Sequence, residues 1–213
     1  MEGAPPTPRP AATVILMRRG GRHSERGLEV LMLRRGSEAR FMPGVWVFAG
    51  GVVEDADLDA AGREAIEGVD AEETAHRICG ARELSEEAGL DVAAADLHPW
   101  SRWITPVQVP MRFDTRFYVG LAPAHAKPTP DGKEMSEARW VAPLDALEDF
   151  AQGTFELSFP TIKHLEELRD LADADAVLAE AAERPVVPLT PKVVATEDGF
   201  DVLLPGEPGF DDA

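Results

Sequence analysis

The chain is predicted to be an α/β protein, a mixed sheet sandwiched between helices, on three observations. Two apolar runs near the start, "ATVILMRR" and "LEVLMLRR", flank the polar, glycine-rich "GGRHSERG" and read as a strand hairpin. The stretch from about Ala71 to Ala88 reads as a helix, with Gly89 placed as its left-handed stop. The remaining strand and helix candidates alternate without a regular strand-helix-strand period, which favours a mixed sheet over a barrel.

Each element has its own signal. The opening "MEGAPPTPRP" is proline-rich, so residues 1–10 are expected to be a disordered tail. After the hairpin, "GVWVFAGG" is a short third strand ending in paired glycines, Gly50 and Gly51. "VEDADLDAAGREAIEGVD" then turns acidic, alanine-rich and unpatterned; residues 52–70 are expected to be an inserted surface excursion, a loop or short helix. Beyond the 71–88 helix, "PWSRWIT", "FDTRFYVGLA" and "EARWVA" supply further strands. "PLDALEDFAQG", "FPTIKHLEELRDLAD" and "ADAVLAEAAE" supply helices. The domain is expected to span residues 11–184, with 185–213 a carboxy-terminal extension of short strands punctuated by proline.

Composition narrows the function. With 39 acidic and 21 basic residues the net charge is −18, which disfavours duplex nucleic acid or an anionic membrane as a partner. No run of 18 apolar residues suggests a membrane span, and the amino-terminal stretch lacks the apolar core of a signal peptide. The terminal "FDDA" is not a peroxisomal address, and the single cysteine, Cys79, fits a reducing compartment, so a cytoplasmic location is expected. The five histidines show no metal-ligand spacing, and there is no Walker loop, G-x-G-x-x-G or G-x-S-x-G.

The stretch "ARELSEEAGL" is the chemically loaded one. On a helix Glu83, Glu86 and Glu87 stand at i, i+3 and i+4 and share a face, while Ile78, Ala81, Leu84 and Ala88 can turn toward a core. Like charges at that spacing repel by a few tenths of a kcal/mol per pair unless a cation sits among them, and three converging oxygens suit a hard divalent ion. In isolation E-x-x-E-E reads as a solvated helix face; its surroundings decide otherwise.

Gly50-Gly51 followed downstream by "RELSEEAGL" resembles the Nudix box, G-x5-E-x7-R-E-U-x-E-E-x-G-U with U aliphatic. The second half matches at Arg82, Glu83, Leu84, Glu86, Glu87, Gly89 and Leu90. The first half departs: Gly51 to Arg82 is 31 positions where the box has 14, and, counting back from Arg82, Thr74 stands where the box has its first glutamate, with Glu72 and Glu73 nearby. "VLMLRRGSEARFMPGVWVFAGGVVEDAD", "WITPVQVPMRFDTRFYVG" and "FELSFPTIKHLEEL" further resemble the coenzyme A diphosphatase branch of that family, over roughly residues 11–172, with Ala49 in place of a proline common in the branch.

The resemblance implies a Nudix fold, Mg²⁺ or Mn²⁺ on the helix carboxylates, and hydrolysis of a nucleoside diphosphate derivative, coenzyme A or acyl-coenzyme A first. A nucleotide-sugar or dinucleotide pyrophosphatase, and a regulatory domain that binds a nucleotide without cleaving it, are the alternatives. It further implies that Glu83, Glu86, Glu87 and the Gly50 carbonyl are metal ligands, that Glu86 and Arg82 belong to the catalytic set, and that Arg82 orients a carboxylate rather than touching substrate. Glu134 is the candidate base or second-metal ligand, with Glu137 its rival. Arg34, Arg40, Arg112 and Arg116 are the candidate contacts for substrate phosphates; Arg34 and its neighbour Arg35 lie on opposite faces of one strand, so only one of them can point at the site. Trp46, Trp103 and Trp140 are expected in the core. The partner is a small-molecule nucleotide, and a homodimer is an allowed assembly.

Overall fold

A computed structural model describes residues 5–19, 27–39, 42–196 and 199–211. Within them the strands are β1 (Arg9–Arg19), β2 (Leu28–Arg35), β3 (Trp46–Val47), β4 (Ala49–Val52), β5 (His98–Ile104), β6 (Phe113–Leu121), β7 (Met135–Val141), β8 (Pro188–Leu189), β9 (Lys192–Thr196) and β10 (Gly199–Leu203). The helices are α1 (Asp55–Ala61), α2 (Ala71–Ala88), α3 (Pro143–Ala151), α4 (Phe159–Leu168) and α5 (Ala174–Glu183). None is long and apolar enough, among the described residues, to cross a membrane.

β1 is the spine of a mixed sheet ordered β3-β2-β1-β6-β5-β8, with β4 also paired to β1 and β7 to β2. It runs antiparallel to β2 and β4 and parallel to β6. The strand begins at Arg9, earlier than the proline-rich tail was expected to end, because Arg9 and Pro10 face Phe113 and Asp114 of β6 and join its ladder. Alternation along β1 sends its side chains to two cores. Ile15 and Met17 pack with Ala146 of α3, Leu165 of α4 and Val177 of α5, whereas Ala12, Val14 and Leu16 pack with Cys79, Leu84 and Ala88 of α2. The sheet is thus sandwiched between helices, as the sequence predicts.

α2 begins at Asp70, whose side chain accepts from the Glu73 amide, and ends at Gly89 in the left-handed region at φ 63°. Its buried face is shifted from the expected one. Ala75, Cys79, Gly80, Leu84 and Ala88 are buried, while Ile78 and Ala81 are only half-buried at the edge. The reason is steric: a Cβ at Gly80 would stand 2.8 Å from Val14 Cγ2, so small residues let the helix approach the sheet closely enough to aim glutamates at β4.

One further expectation changes. Residues 52–70 are not wholly a surface excursion, because Val52 closes β4 and α1 carries the buried Asp57 and Ala61; the exposed turns begin beyond Ala61. The extension after residue 184 contributes β8, which pairs parallel with β5 at the sheet edge, and the β9–β10 hairpin.

Candidate active site

The acidic stretch of α2 and the glycine pair of β4 meet across a short gap. The Gly50 amide donates to Glu87 Oε2 at 3.0 Å. Gly50 is required by space, and Gly51 leaves room for a site carboxylate. A Cβ at Gly50 would fall 2.5 Å from Ala12 O and 2.6 Å from Thr13 Oγ1, and one at Gly51 would collide with the Glu83 carboxylate. A cavity of about 320 Å³ opens here, walled by Gly50, Gly51, Glu83, Glu86, Glu87 and Glu134 together with Glu54 and Asp131. Four of the expected carboxylates thus share one wall.

Their electrostatics follow from that crowding. Burial pushes the Glu87 carboxyl up to about 8, against the pull of the Gly50 amide, and the charges of Glu83 and Glu134 push the same way. Glu83 is raised for the same first reason, burial, with Arg82 opposing and Glu86 and Glu134 adding. A divalent cation reverses this balance by favouring the ionised forms. The donor set is all hard oxygen and fits Mg²⁺ or Mn²⁺ rather than a softer ion. Among the described residues no three carboxylates already form a coordination cage. Glu83 and Glu86 instead lean on Arg82, at 2.8 and 3.3 Å, and Glu86, with 62% of its side chain exposed, is free to swing.

Arg82 itself is tied down by a residue that the backward count from the helix overlooks. Its Nε and Nη2 donate to the two carboxylate oxygens of Asp57 at 3.0 Å each, and Nη2 also reaches the Val52 carbonyl. Asp57 side-chain exposure is 2%, and hydrogen bonding to it raises Arg82 above the ordinary guanidinium value. Counting forward from Gly51, Asp57 occupies the position of the first glutamate in G-x5-E, one methylene shorter. The extra residues therefore follow the acid instead of preceding it. Thr74 donates its hydroxyl back to Asp70 O within α2, and Glu72 and Glu73 hold Arg116, so none of the three replaces that glutamate.

Glu134 reaches the site from the turn before β7. Asp131 accepts from the amides of Glu134 and Met135, which fixes that turn. Glu137 lies elsewhere, held by Arg34 and Arg139.

A second cavity of about 400 Å³ shares Gly50, Gly51, Val52 and Glu134 with the acidic one and continues past Thr13, Phe48, Thr115 and Phe117 to Pro160 and Thr161 of α4. Arg35 stands on its wall, and its charge lowers Glu87. The candidate arginines sort differently from expectation. Arg34 is turned away, donating to Glu137 and to Gly44 O, on the face of β2 opposite to that of Arg35. Arg116 points to the α2 face, opposite Ala12 in the ladder, where it holds Glu72, Glu73 and the neighbourhood of Tyr118. Arg112 donates to Thr105 O and Pro6 O beside the cleft without lining it. Arg40 lies outside the described residues. Trp46 and Trp103 are buried and Trp140 half-buried, as core residues should be.

Comparison with known proteins agrees with this geometry. The NUDIX domain model matches residues 7–159. "Putative nudix hydrolase 7" of Caenorhabditis elegans is 30% identical, with 93% of this chain and 73% of that protein aligned. The human acyl-coenzyme A diphosphatase NUDT19 is 24% identical, over 85% of this chain and 72% of its own. Among solved structures, a NUDIX hydrolase from Alicyclobacillus acidocaldarius superimposes with a TM-score of 0.71 at 25% identity, covering 85% of this chain and 99% of that one. The NUDIX domain of Shewanella oneidensis NrtR, complexed with ADP ribose, shares the fold at a TM-score of 0.53 and 17% identity, over 78% and 88% of the two chains. With the glycine pair, the helix carboxylates and the Arg82–Asp57 clamp assembled on a matching fold, the chain belongs to the Nudix family and is a Nudix hydrolase, an enzyme acting on diphosphate linkages.

Proposed function

We propose that the enzyme hydrolyses the diphosphate of coenzyme A or its acyl thioesters, giving a phosphopantetheine product and adenosine 3',5'-bisphosphate. The observation that carries this reading is the confluence of the acidic cavity with the longer cleft along β1 and β6, which lets a diphosphate lie by the carboxylates while the rest of an extended substrate follows the sheet. The likeness to NUDT19 and the coenzyme A-branch stretches support the same substrate class.

In this reading Glu83, Glu86, Glu87 and the Gly50 carbonyl would hold Mg²⁺ or Mn²⁺, which when bound neutralises charge on the phosphate oxygens, and Glu134 is taken as the base rather than a second-metal ligand. Arg82, clamped by Asp57, fixes the position of Glu83 and pairs with the exposed Glu86. Arg35 offers positive charge to a phosphate in the cleft. Glu134 accepts the proton of the attacking water. The water oxygen bonds to one phosphorus, the bridging oxygen leaves on the other phosphate, and the proton resides on Glu134 until solvent removes it. The single cysteine, Cys79, is buried and its thiol pushed up to about 12 by burial, so it takes no part in the chemistry; a cytoplasmic setting is part of the same proposal.

A product-mass screen over coenzyme A, acyl-coenzyme A, ADP-ribose, NADH, a nucleotide sugar and diadenosine polyphosphates, with and without Mg²⁺ or Mn²⁺, tests it. Turnover confined to dinucleotides or nucleotide sugars moves the enzyme to the pyrophosphatase reading. Binding without turnover under every condition moves it to the regulatory one.

A further inference from the structure

A third cavity, of about 230 Å³, opens beside the cleft on the far side from the carboxylates. It shares Thr115, Phe117 and Pro160 with the cleft, so the two meet at a common wall. Apart from Thr105 and Thr115 its lining side chains are apolar, chiefly Trp103, Phe117, Phe159 and Pro160 from the sheet and α4, and Val193 and Val202 from the carboxy-terminal hairpin. Among the described residues no charged group lines it, in contrast to the acidic cavity at the other end of the cleft.

Its inner wall is rigid. His164 is fully buried and held neutral, its pKa lowered to about 4 by burial. Because Pro160 O can only accept, Nδ1–H donates to it at 2.6 Å, and Nε2 accepts from the Ser101 hydroxyl at 2.6 Å. That bridge ties the start of α4 to β5, while the His164 ring stacks on Phe117 at 4.2 Å and Trp103 meets Phe159 edge-on at 6.1 Å. The outer wall is the β9–β10 hairpin, in which Val193 pairs with Val202 and the next same-face pair is Ala195 with Phe200. Phe200 is 80% exposed on the same strand face as Val202, so the apolar wall continues outward into solvent.

We propose that this cavity is the subsite for the acyl chain of the substrate thioester, with the hairpin as its outer wall, so that the enzyme prefers medium-chain acyl-coenzyme A to free coenzyme A. The inference rests on the coenzyme A reading above. Continuity with the cleft is what selects the occupant: an apolar tail attached to a diphosphate bound by the carboxylates can enter by the shared wall of Thr115, Phe117 and Pro160. Each methylene moved from water into such a lining favours binding by about fourfold.

The test compares kcat/KM for coenzyme A, octanoyl-coenzyme A, dodecanoyl-coenzyme A and ADP-ribose, with Mg²⁺ supplied, in wild type, Val202→Phe and Phe200→Ser. Wild type is expected to favour octanoyl over free coenzyme A by about tenfold or more. Val202→Phe, which fills the cavity, brings that ratio toward one. Phe200→Ser, at an exposed position that folding tolerates, lowers the dodecanoyl-to-octanoyl ratio several-fold and carries the test if Val202→Phe fails to fold. Equal kcat/KM for free and octanoyl-coenzyme A in wild type, or ratios unmoved in the variants, overturns the subsite while leaving coenzyme A hydrolysis standing. Turnover of ADP-ribose with none of either coenzyme A compound overturns the substrate reading, and the subsite with it.

Discussion

Replacing Asp57 with Asn removes the charge that clamps Arg82 while keeping the side chain's shape. Asp57 is buried, accepts two bonds from the guanidinium at 3.0 Å, and also accepts from the Glu54 amide at 2.9 Å. Removing one partner of a fully buried pair costs about 3–5 kcal/mol. Arg82 keeps 22% side-chain exposure and two other carboxylates, so part of that cost is offset. About 2–3 kcal/mol is the expected loss, a drop in melting temperature of about 5–10 °C for a chain of this size. Turnover should fall as well, because a released Arg82 competes with the cation for Glu83 and Glu86. Asp57→Glu, which restores the residue usual at that place in the box, should keep most of both. Thermal melting followed by circular dichroism and a turnover assay measure the two effects, and a double-mutant cycle with Arg82→Gln isolates the pair. Melting within about 1 °C of wild type, with a coupling energy below about 0.5 kcal/mol, would refute the clamp.

Glu134→Gln should lower turnover by about 10²- to 10⁴-fold with KM little changed and partial recovery at high pH, whereas Glu137→Gln should stay near wild type; the reverse pattern moves the base to Glu137. Millimolar Mg²⁺ or Mn²⁺ should raise the melting temperature, by about 2.7 kcal/mol of stabilisation at a hundredfold excess over Kd, and Glu87→Gln should abolish most of the shift; calorimetry that detects no divalent-ion effect removes the metal site. His164 binds its proton more weakly folded than unfolded, so the unfolded chain takes up protons first as pH falls. The contribution of His164 to stability is therefore fully present above about pH 6.5 and falls by roughly 3 kcal/mol as pH drops toward 4, opposite in sign to that of the raised Glu87, so it is read as the difference between urea titrations of wild type and His164→Phe.

The helix of the acidic stretch, its glycine stop and the box residues Arg82, Glu83, Glu86 and Glu87 were legible in the sequence, because capping and i, i+3, i+4 spacing are local physics. So were the antiparallel β1 and β2, whose expected turn at residues 20–26 lies outside the described residues, the later strands and the helices, each carrying its own apolar pattern. The partner of Arg82 was within reach of a forward count from Gly51, but the backward count passed through the extra residues and landed on Thr74. Which arginine faces the cleft was decided only by tertiary structure: alternation puts Arg34 and Arg35 on opposite faces of β2, and the packing of the sheet gives the cleft to Arg35, while pairing across β1 and β6 sends Arg116 to the α2 face. Likewise, nothing in the spacing of Val193 and Val202 joins them to Phe117 and Phe159. That juxtaposition exists because the chain returns after α5, through β8 beside β5, and such contacts between distant segments leave no period in the sequence to read.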